Sequence, residues 1–317
     1  MRKKVIVALS IYKPDAKYLK WQLESINKQT YENIEVLVLD DCPDSYMPEE
    51  NITKAITKFD VKLFRNETNL GFIKSFEKLT ELAQGDYIAY CDHDDIWEEN
   101  KIELCVNELE KTDSKFCTCN MTVIDENNNV ILENFSEYSK NDYFTWETGE
   151  NITKYAAFLA CTNGNTILMD LPLAKEALPF VNLPYYSHDF WLGLFASCKC
   201  KLARVDKPLV KYRMYSNNTS GVLKGVKSKK DYYETRVMSK YKAFLELKQR
   251  VDIIPDRELI EDCFNARIHK NIFKIFKYRM ILKRYAVFEI AIKFIPDFLF
   301  KRMVSLVQSR ITNNSKK

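Results

Sequence analysis

Apolar positions along the first hundred residues follow two alternating rhythms. Val5–Ile11, Ile34–Leu39, Val61–Phe64 and Asp86–Cys91 contain short runs rich in β-branched residues, too continuous for a one-sided helix, and read as buried strands. Between them the spacing changes: Asp15–Gln29 sets Leu19, Leu23 and Ile26 on one helical face. A second helix is predicted from about Asn69 to Ala83, stopped by Gly85, and a third from about Glu98 to Glu110. Strands alternating with helices predict an α/β domain whose mainly parallel sheet carries helices on both faces. Ligands in such sheets bind beyond the carboxyl ends of the strands. Asp40-Asp41 and the cluster Asp92-His93-Asp94-Asp95 both fall there.

The second half is more mixed. Phe116–Ile124 and Val130–Leu132 read as strands around the turn Asp125–Asn129, and Asn165–Met169 as a further short strand. Phe190–Ser197 has helical character, and Lys201–Arg213 reads as strands broken by Pro208. From about Lys229 the chain is mostly helical, with breaks near Pro255 and Pro296.

Composition narrows the class. At 46% hydrophobic and 29% charged over 317 residues, the chain can bury a sizeable core. The opening MRKKVIVALSIY reads as a first strand, not as a signal peptide with a small-residue cleavage site, so a cytoplasmic location is expected. The nine Cys include no C-x-x-C pair and only three His accompany them, which argues for buried free thiols over a zinc site. Cys117/Cys119 and Cys198/Cys200 are each spaced to share a strand face. Charge is uneven: Phe264 to Lys317 carries +11, so a total of +4 leaves −7 on the rest. A basic tail on an acidic body points to an anionic surface as the partner of the tail.

Asp92, Asp94 and Asp95 carry the first candidate chemistry. Three carboxylates within four positions repel one another and gain most from a bound cation. Oxygen ligands suit Mg²⁺ or Mn²⁺, which retain waters and bridge to diphosphate oxygens. The bland alternative makes Asp95 an N-cap of the helix that follows, with the others solvated.

Six segments in order now resemble glycosyltransferase family 2, the inverting enzymes of the GT-A fold. These are VIVALSIY, SINKQTYENIEVLVLDD, FRNETNLGF, GDYIAYCDHDDIW, HDFW and YRMYSNNTSG, spanning roughly residues 3–221. The pattern is similar to the rhamnosyltransferase-like subgroup that builds bacterial surface polysaccharides. Lys13 stands where the family usually has Asn, and Cys42-Pro43 where Gly-Ser is common.

The resemblance implies a Rossmann-like GT-A sheet over residues 1–222, with 1–97 binding the nucleotide-sugar and 98–222 the acceptor. A basic helical extension follows over 223–317. Ser10 and Tyr12 would line the nucleobase pocket, Asp41 (or Asp40) would bind base or ribose, and Asn69 and Lys74 would lie near the donor. Asp92 would contact the ribose or a metal water, and Asp94 would coordinate Mn²⁺ or Mg²⁺. Asp189 looks like the catalytic base, though it could also cap a helix beginning at Phe190. Tyr212, Arg213, Asn217 and Asn218 resemble a loop that closes over the diphosphate, with Arg213 adding a cation. Cys161–Asn165 would form an acceptor-side wall. Trp191 reads as packing, and Trp97 as either a cover over the metal or core.

The expected reaction moves a sugar from a UDP- or dTDP-sugar to a hydroxyl of a glycan acceptor, most plainly a lipid-linked one. Two rivals remain: a catalytically inactive subunit that binds a nucleotide-sugar, and a sugar-1-phosphate nucleotidyltransferase. The second usually announces itself by a Gly-rich loop with Lys after the first strand, and here only Ser-Ile-Tyr-Lys-Pro appears. For the basic tail, packing on the catalytic domain competes with attachment to an anionic membrane surface at the inner face of the cell membrane. No uncharged apolar run of 18 residues predicts a spanning helix, and no nucleic-acid motif accompanies the charge.

Overall fold

The computed structural model describes residues 2–138, 144–215, 223 and 225–314, and for 137, 138 and 307–314 the backbone alone. One nine-stranded sheet runs through the molecule in the order β3-β2-β1-β4-β8-β6-β9-β5, with β7 paired to β6. Its strands are β1 (Val5–Ile11), β2 (Ile34–Asp40), β3 (Asp60–Arg65), β4 (Tyr87–Cys91), β5 (Ile96–Trp97), β6 (Phe116–Ile124), β7 (Val130–Leu132), β8 (Leu168–Asp170) and β9 (Leu202–Arg213). The first four are mutually parallel, as expected of strands linked by helical crossovers. β8 runs antiparallel to both β4 and β6 and joins the parallel half to the mixed half.

The helices before the tail are α1 (Ala16–Asn27), α2 (Glu49–Thr53), α3 (Phe72–Leu82), α4 (Lys101–Thr112), α5 (Phe135–Tyr138), α6 (Thr153–Ala156), α7 (Leu171–Glu176) and α8 (His188–Lys199). The tail adds α9 (Lys229–Tyr232), a π-helical turn (Tyr233–Met238), α10 (Ser239–Arg250), α11 (Arg257–Ile268), α12 (Ile272–Lys277), α13 (Arg279–Leu282), α14 (Arg284–Phe294) and α15 (Asp297–Asn314). Asp15 caps α1 by accepting from the amides of Lys17 and Tyr18.

Strand alternation builds two cores. Val5, Val7, Leu9 and Ile11 of β1 join Leu19, Leu23 and Ile26 of α1 on one face, together with Cys105, Val106 and Leu109 of α4. Ile6 and Ala8 face the other way, toward Phe76 and Leu79 of α3 and Trp191 and Leu192 of α8. That second core continues without interruption into the tail through Phe244, Phe264, Ile281 and Ala286. The tail therefore packs on the sheet domain, and its own interior holds a fully buried ion pair. Arg267 donates through Nε (3.1 Å) and a terminal nitrogen (2.6 Å) to Glu289, which also accepts from Tyr232.

Several expectations shift. The acidic cluster leads into β5, a two-residue strand antiparallel to β9, and the helix beyond begins only at Lys101. Asp95 is thus no helix cap. Asn165–Met169 divides into a 3-10 turn (Gly164–Thr166) and the short β8. Pro208 does not break β9: the register jumps from Cys119↔Val205 to Asn120↔Pro208, leaving Asp206 and Lys207 outside the ladder. Cys198 and Cys200 stand at the end of α8 and not on a strand, whereas Cys117 and Cys119 share the α4-side core. All nine thiols are free; Cys198 and Cys200 are half-buried and the other seven buried.

Candidate active site

Four parallel strands present their carboxyl ends on one edge, and the Asp residues predicted to matter lie there. They do not all face outward. Asp40, at the end of β2, is fully buried and accepts from the amides of Cys42 (3.1 Å) and Met47 (2.6 Å), closing that loop on itself. Asp41 is also buried, and its two oxygens take the amides of Leu70 and Gly71, each at 2.8 Å, plus the Asn66 side chain. This carboxylate sits at the amino end of α3, where unpaired amides and the helix dipole favour a negative charge. Both Asp residues expected at the base or ribose are spent on building loops. Asn69 does the same, accepting from the Gly71 amide at 2.8 Å. Gly71 adopts a φ of +78°, which lets the chain turn into α3 between these acceptors.

Ser10 near the end of β1 and Tyr12 just beyond it lie on the same edge, Ser10 buried and Tyr12 exposed with the Lys13 amine over its ring. His93 joins the cluster to this strand, its Nδ1 lying 3.3 Å from the Ser10 carbonyl. Lys74 turns along α3 to Glu77 at 2.6 Å, so in this conformation it is held by a neighbour on its own helix.

Asp92, Asp94 and Asp95 have separate surroundings. Asp95 is fully buried, bound by the Asn165 side chain and, at 2.9 Å, by the Arg213 amide 118 positions away. Burial and then the charges of Asp94 and Asp92 push its carboxyl well above the usual range, while these two hydrogen bonds oppose the rise. Asp94 is half-buried and accepts from the Tyr215 hydroxyl at 2.7 Å. Asp92 is half-buried and, as far as the structure describes, makes no comparable anchoring bond. Burial, then the neighbouring charges of Asp94 and Asp189, raise it to about 7. Asp189 therefore stands near Asp92 although 97 positions separate them.

The start of α8 shapes Asp189. Ser187 stands at the N-cap position without a side-chain cap bond, and Asp189 in the first turn accepts from the Ser187 hydroxyl and from the Phe190 amide at 2.9 Å. Its carbonyl accepts from Thr162 at 3.0 Å. Beside it His188 is buried among Phe76, Tyr90 and Phe72. Burial lowers its ring to about 4 even against the opposing Asp189 charge, so it is neutral at ordinary pH. A Cβ on Gly164 would fall 2.7 Å from His188 Nε2, so only glycine fits there. The expected acceptor wall, Cys161–Asn165, thus forms a buried floor that touches Asp189 through Thr162 and Asp95 through Asn165.

Arg213 departs from its expected place. Its side chain is fully buried: Nε donates to the Asp94 carbonyl and a terminal nitrogen to the Asp125 carbonyl, each at 2.8 Å. The guanidinium lies over Tyr18 and Trp21 of α1, at 4.4 and 4.9 Å. It braces the acidic cluster from below and is not presented to a diphosphate. Asn217 and Asn218, expected in the same loop, lie outside the described residues. Trp97 is core, with the Lys101 amine 3.3 Å from its ring centre. That buried amine has no hydrogen-bond partner among the described residues, and its charge opposes the rise of Asp92. Trp191 is packing, its indole N–H donating to the Ala177 carbonyl.

Sequence reasoning missed Tyr215, Lys101, Asn165 as a ligand of Asp95, and the His93 tie to β1. Tyr215, Asn165 and His93 act on partners 70 or more positions away and so carry no local signal, while Lys101 lies close to Trp97 in sequence but its burial does not show there. A separate concavity of about 350 Å³, lined by Arg2, Lys3, Tyr31 and Glu103 among others, lies at the amino-terminal ends of β1 and β2, away from the carboxylates.

The donor set is suited to a hard divalent cation. Asp92 and Asp94 offer carboxylate oxygens, and the repulsion that adds to burial in raising Asp92 is what such a cation would relieve. Among the described residues no group of three His, Cys, Asp or Glu side chains forms a closed metal cage. Two carboxylates with open positions left for diphosphate and water match how Mg²⁺ is bound.

Known proteins share this architecture. An uncharacterized glycosyltransferase of Haemophilus influenzae is 30% identical over 214 residues, covering 65% of this chain and 64% of that relative. The match thus spans less than two thirds of the relative's length. The Escherichia coli protein WfgD, a UDP-Glc:alpha-D-GlcNAc-diphosphoundecaprenol beta-1,3-glucosyltransferase, is 29% identical over 202 residues, 62% of this chain and 72% of that one. Among solved structures, Staphylococcus aureus TarS 1-349 in complex with UDP-GlcNAc superposes with a TM-score of 0.56, covering 98% of this chain and 89% of that chain at 17% identity. That likeness shows a common fold. Residues 7–199, more than half of the chain, match the family model for glycosyl transferase family 2, and the chain belongs to that family.

Proposed function

We propose that the chain is an inverting glycosyltransferase that moves one sugar from a UDP- or dTDP-sugar to a hydroxyl of a lipid-linked glycan. The observation that carries this reading is the approach of Asp189 to Asp92, the two being 97 positions apart along the chain. A sugar hydroxyl is too weak an acid to ionise beforehand, so its proton must pass to a base as the new bond forms. Asp189 takes that proton. The Ser187 hydroxyl, the Phe190 amide and the Thr162 contact hold it in one orientation. The neutral His188 adds no competing positive charge beside it.

Asp94 and Asp92 would hold Mn²⁺ or Mg²⁺, which when bound neutralises charge on the departing diphosphate. Ser10 and Tyr12 bind the base, while Asp40, Asp41 and Asn69 act one step back by fixing the loops around it. Lys74 reaches the donor only on leaving Glu77. Arg213 serves as a positioning residue beneath Asp94. The UDP-sugars named for WfgD and TarS favour uridine as the base. The diphosphoundecaprenol in the name of WfgD favours a polyprenyl-linked acceptor.

A panel of nucleotide-sugars with Mn²⁺ or Mg²⁺, read by nucleoside diphosphate release and thermal shift, tests the reading. One donor should give metal-dependent release; no response across the panel would sink it. Asp189→Ala should keep donor binding and lose transfer by about 10²–10⁴-fold. Near wild-type transfer in that variant would remove Asp189 as the base.

A further inference from the structure

The tail turns an unusual surface outward. From α12 through Tyr278 into α13, Ile275 and Tyr278 are buried, while Phe273, Phe276 and Met280 are 84%, 57% and 67% exposed. Phe273 and Phe276 are spaced three apart on α12, and Met280 follows on α13. α14 packs beside α12 and repeats the arrangement: Ala286, Glu289 and Ile292 face inward, while Val287 and Phe294, seven apart, are 69% and 68% exposed. Phe298, 69% exposed at the start of α15, continues the series. A face that only met water would gain nothing from four large aromatics with no cover.

The charge around it is one-sided. Residues 270–306 hold nine Lys or Arg against Glu289 and Asp297. Glu289 is buried in its pair with Arg267, and Asp297 lies 3.6 Å from Lys229. Lys277, Arg279, Lys301 and Arg302 are exposed among the apolar residues. Among the described residues no helix is long and apolar enough to cross a membrane.

We propose that this face docks on an anionic phospholipid bilayer, its aromatic residues entering the acyl boundary and its Lys and Arg side chains meeting lipid phosphates. Basic residues interleaved with exposed Phe suit a lipid interface, where the charged ends stay with the headgroups and the rings sit below. A second copy is disfavoured, because two faces of the same positive charge would repel. Docking would also orient the catalytic edge. Lys240 lies 4.6 Å from the ring of Phe190, next to Asp189, and 5.5 Å from that of Tyr285 on α14. The docking layer is thus one helix thickness, about 10 Å, from the start of α8. The proposal does not depend on the catalytic reading, since lipid binding needs no turnover.

Vesicle flotation of the full chain tests it. Phosphatidylglycerol–phosphatidylcholine vesicles should retain the protein, and phosphatidylcholine alone should hold about tenfold less. About 0.5 M salt should weaken the first binding by a similar factor. The double variant F273D/F276D should fold with an unchanged melting temperature, because both rings are exposed, and should lose about tenfold in partitioning. K277E/K301E should flatten the salt dependence. Absence of binding to anionic vesicles overturns the proposal, as does wild-type partitioning by F273D/F276D. Concentration-dependent self-association abolished by the same variant, without vesicle binding, would instead make the face a contact between copies.

Discussion

Lys240 offers the most quantitative test of the packing between tail and sheet domain. Its side chain is 8% exposed, donates to the Phe158 carbonyl and lies over Phe190 and Tyr285. Burial, reinforced by the neighbouring Arg267 and Arg236 charges, lowers the amine from 10.5 to about 7. In the unfolded chain it titrates near its ordinary value. Between those two values the unfolded chain binds a proton that the folded chain does not, so stability falls as pH drops from about 10.5 and levels off below about 7. At about 1.36 kcal/mol per unit, the full span is worth on the order of 5 kcal/mol. Between about pH 9.5 and 7.5 the change is about 2.5 kcal/mol.

Lys240→Met removes this dependence. It also leaves the Phe158 carbonyl without its donor, a cost of about 1–3 kcal/mol that does not vary with pH. Urea unfolding of both proteins at matched pH values, followed by tryptophan fluorescence, isolates the difference, because all other titrations cancel. The variant should gain on the wild type by about 2.5 kcal/mol as pH falls through that range. A difference that stays constant with pH would show that the amine keeps its charge or its water in the folded state, and would refute the buried placement.

Two further tests address single contacts. Gly164→Ala drives a methyl into the His188 ring, which Phe76 backs at 4.3 Å. It should cost about 1–3 kcal/mol in thermal unfolding and reduce turnover by displacing Asp189; an unchanged melting temperature would contradict the close approach. Arg267→Met leaves Glu289 buried without its partner and should cost about 3–5 kcal/mol in denaturant midpoint, whereas R267M/E289M should recover most of that loss. A double variant no better than the single would remove the ion pair as the cause.

Much of the parallel half was legible because β1, β2 and β4 are buried on both sides and so carry continuous apolar runs. The acidic cluster was legible for a related reason: a polar run directly after such a strand must fall at the sheet edge. What the sequence could not convey was who claims each carboxylate. Asp41 is answered by backbone amides of Leu70 and Gly71, which any residues in that loop would supply. Asp95 is answered by an amide on β9, and only the β5–β9 pairing brings the two together. Two residues are too few to betray β5 by periodicity. Arg213 was expected to face a diphosphate because it resembles part of the family's closing loop. The Tyr18 and Trp21 rings and two backbone carbonyls compensate it within.

The continuous core between sheet and tail has a consequence for biosynthesis. Phe76, Trp191 and Ile6 share one apolar interior with Phe264, Ile281 and Ala286. A nascent chain that has reached the end of β9 therefore still exposes the face on which the start of α8 rests. At about 5–20 residues per second, the ribosome needs several more seconds before α14 emerges to cover it. Until then the apolar surface beneath the tail lies open to chaperones, although the contacts of Ser187, Phe190 and Thr162 with Asp189 need no tail residue. Synthesis interrupted within the tail would leave a polypeptide that holds every proposed catalytic residue and bares an apolar face that the whole chain buries.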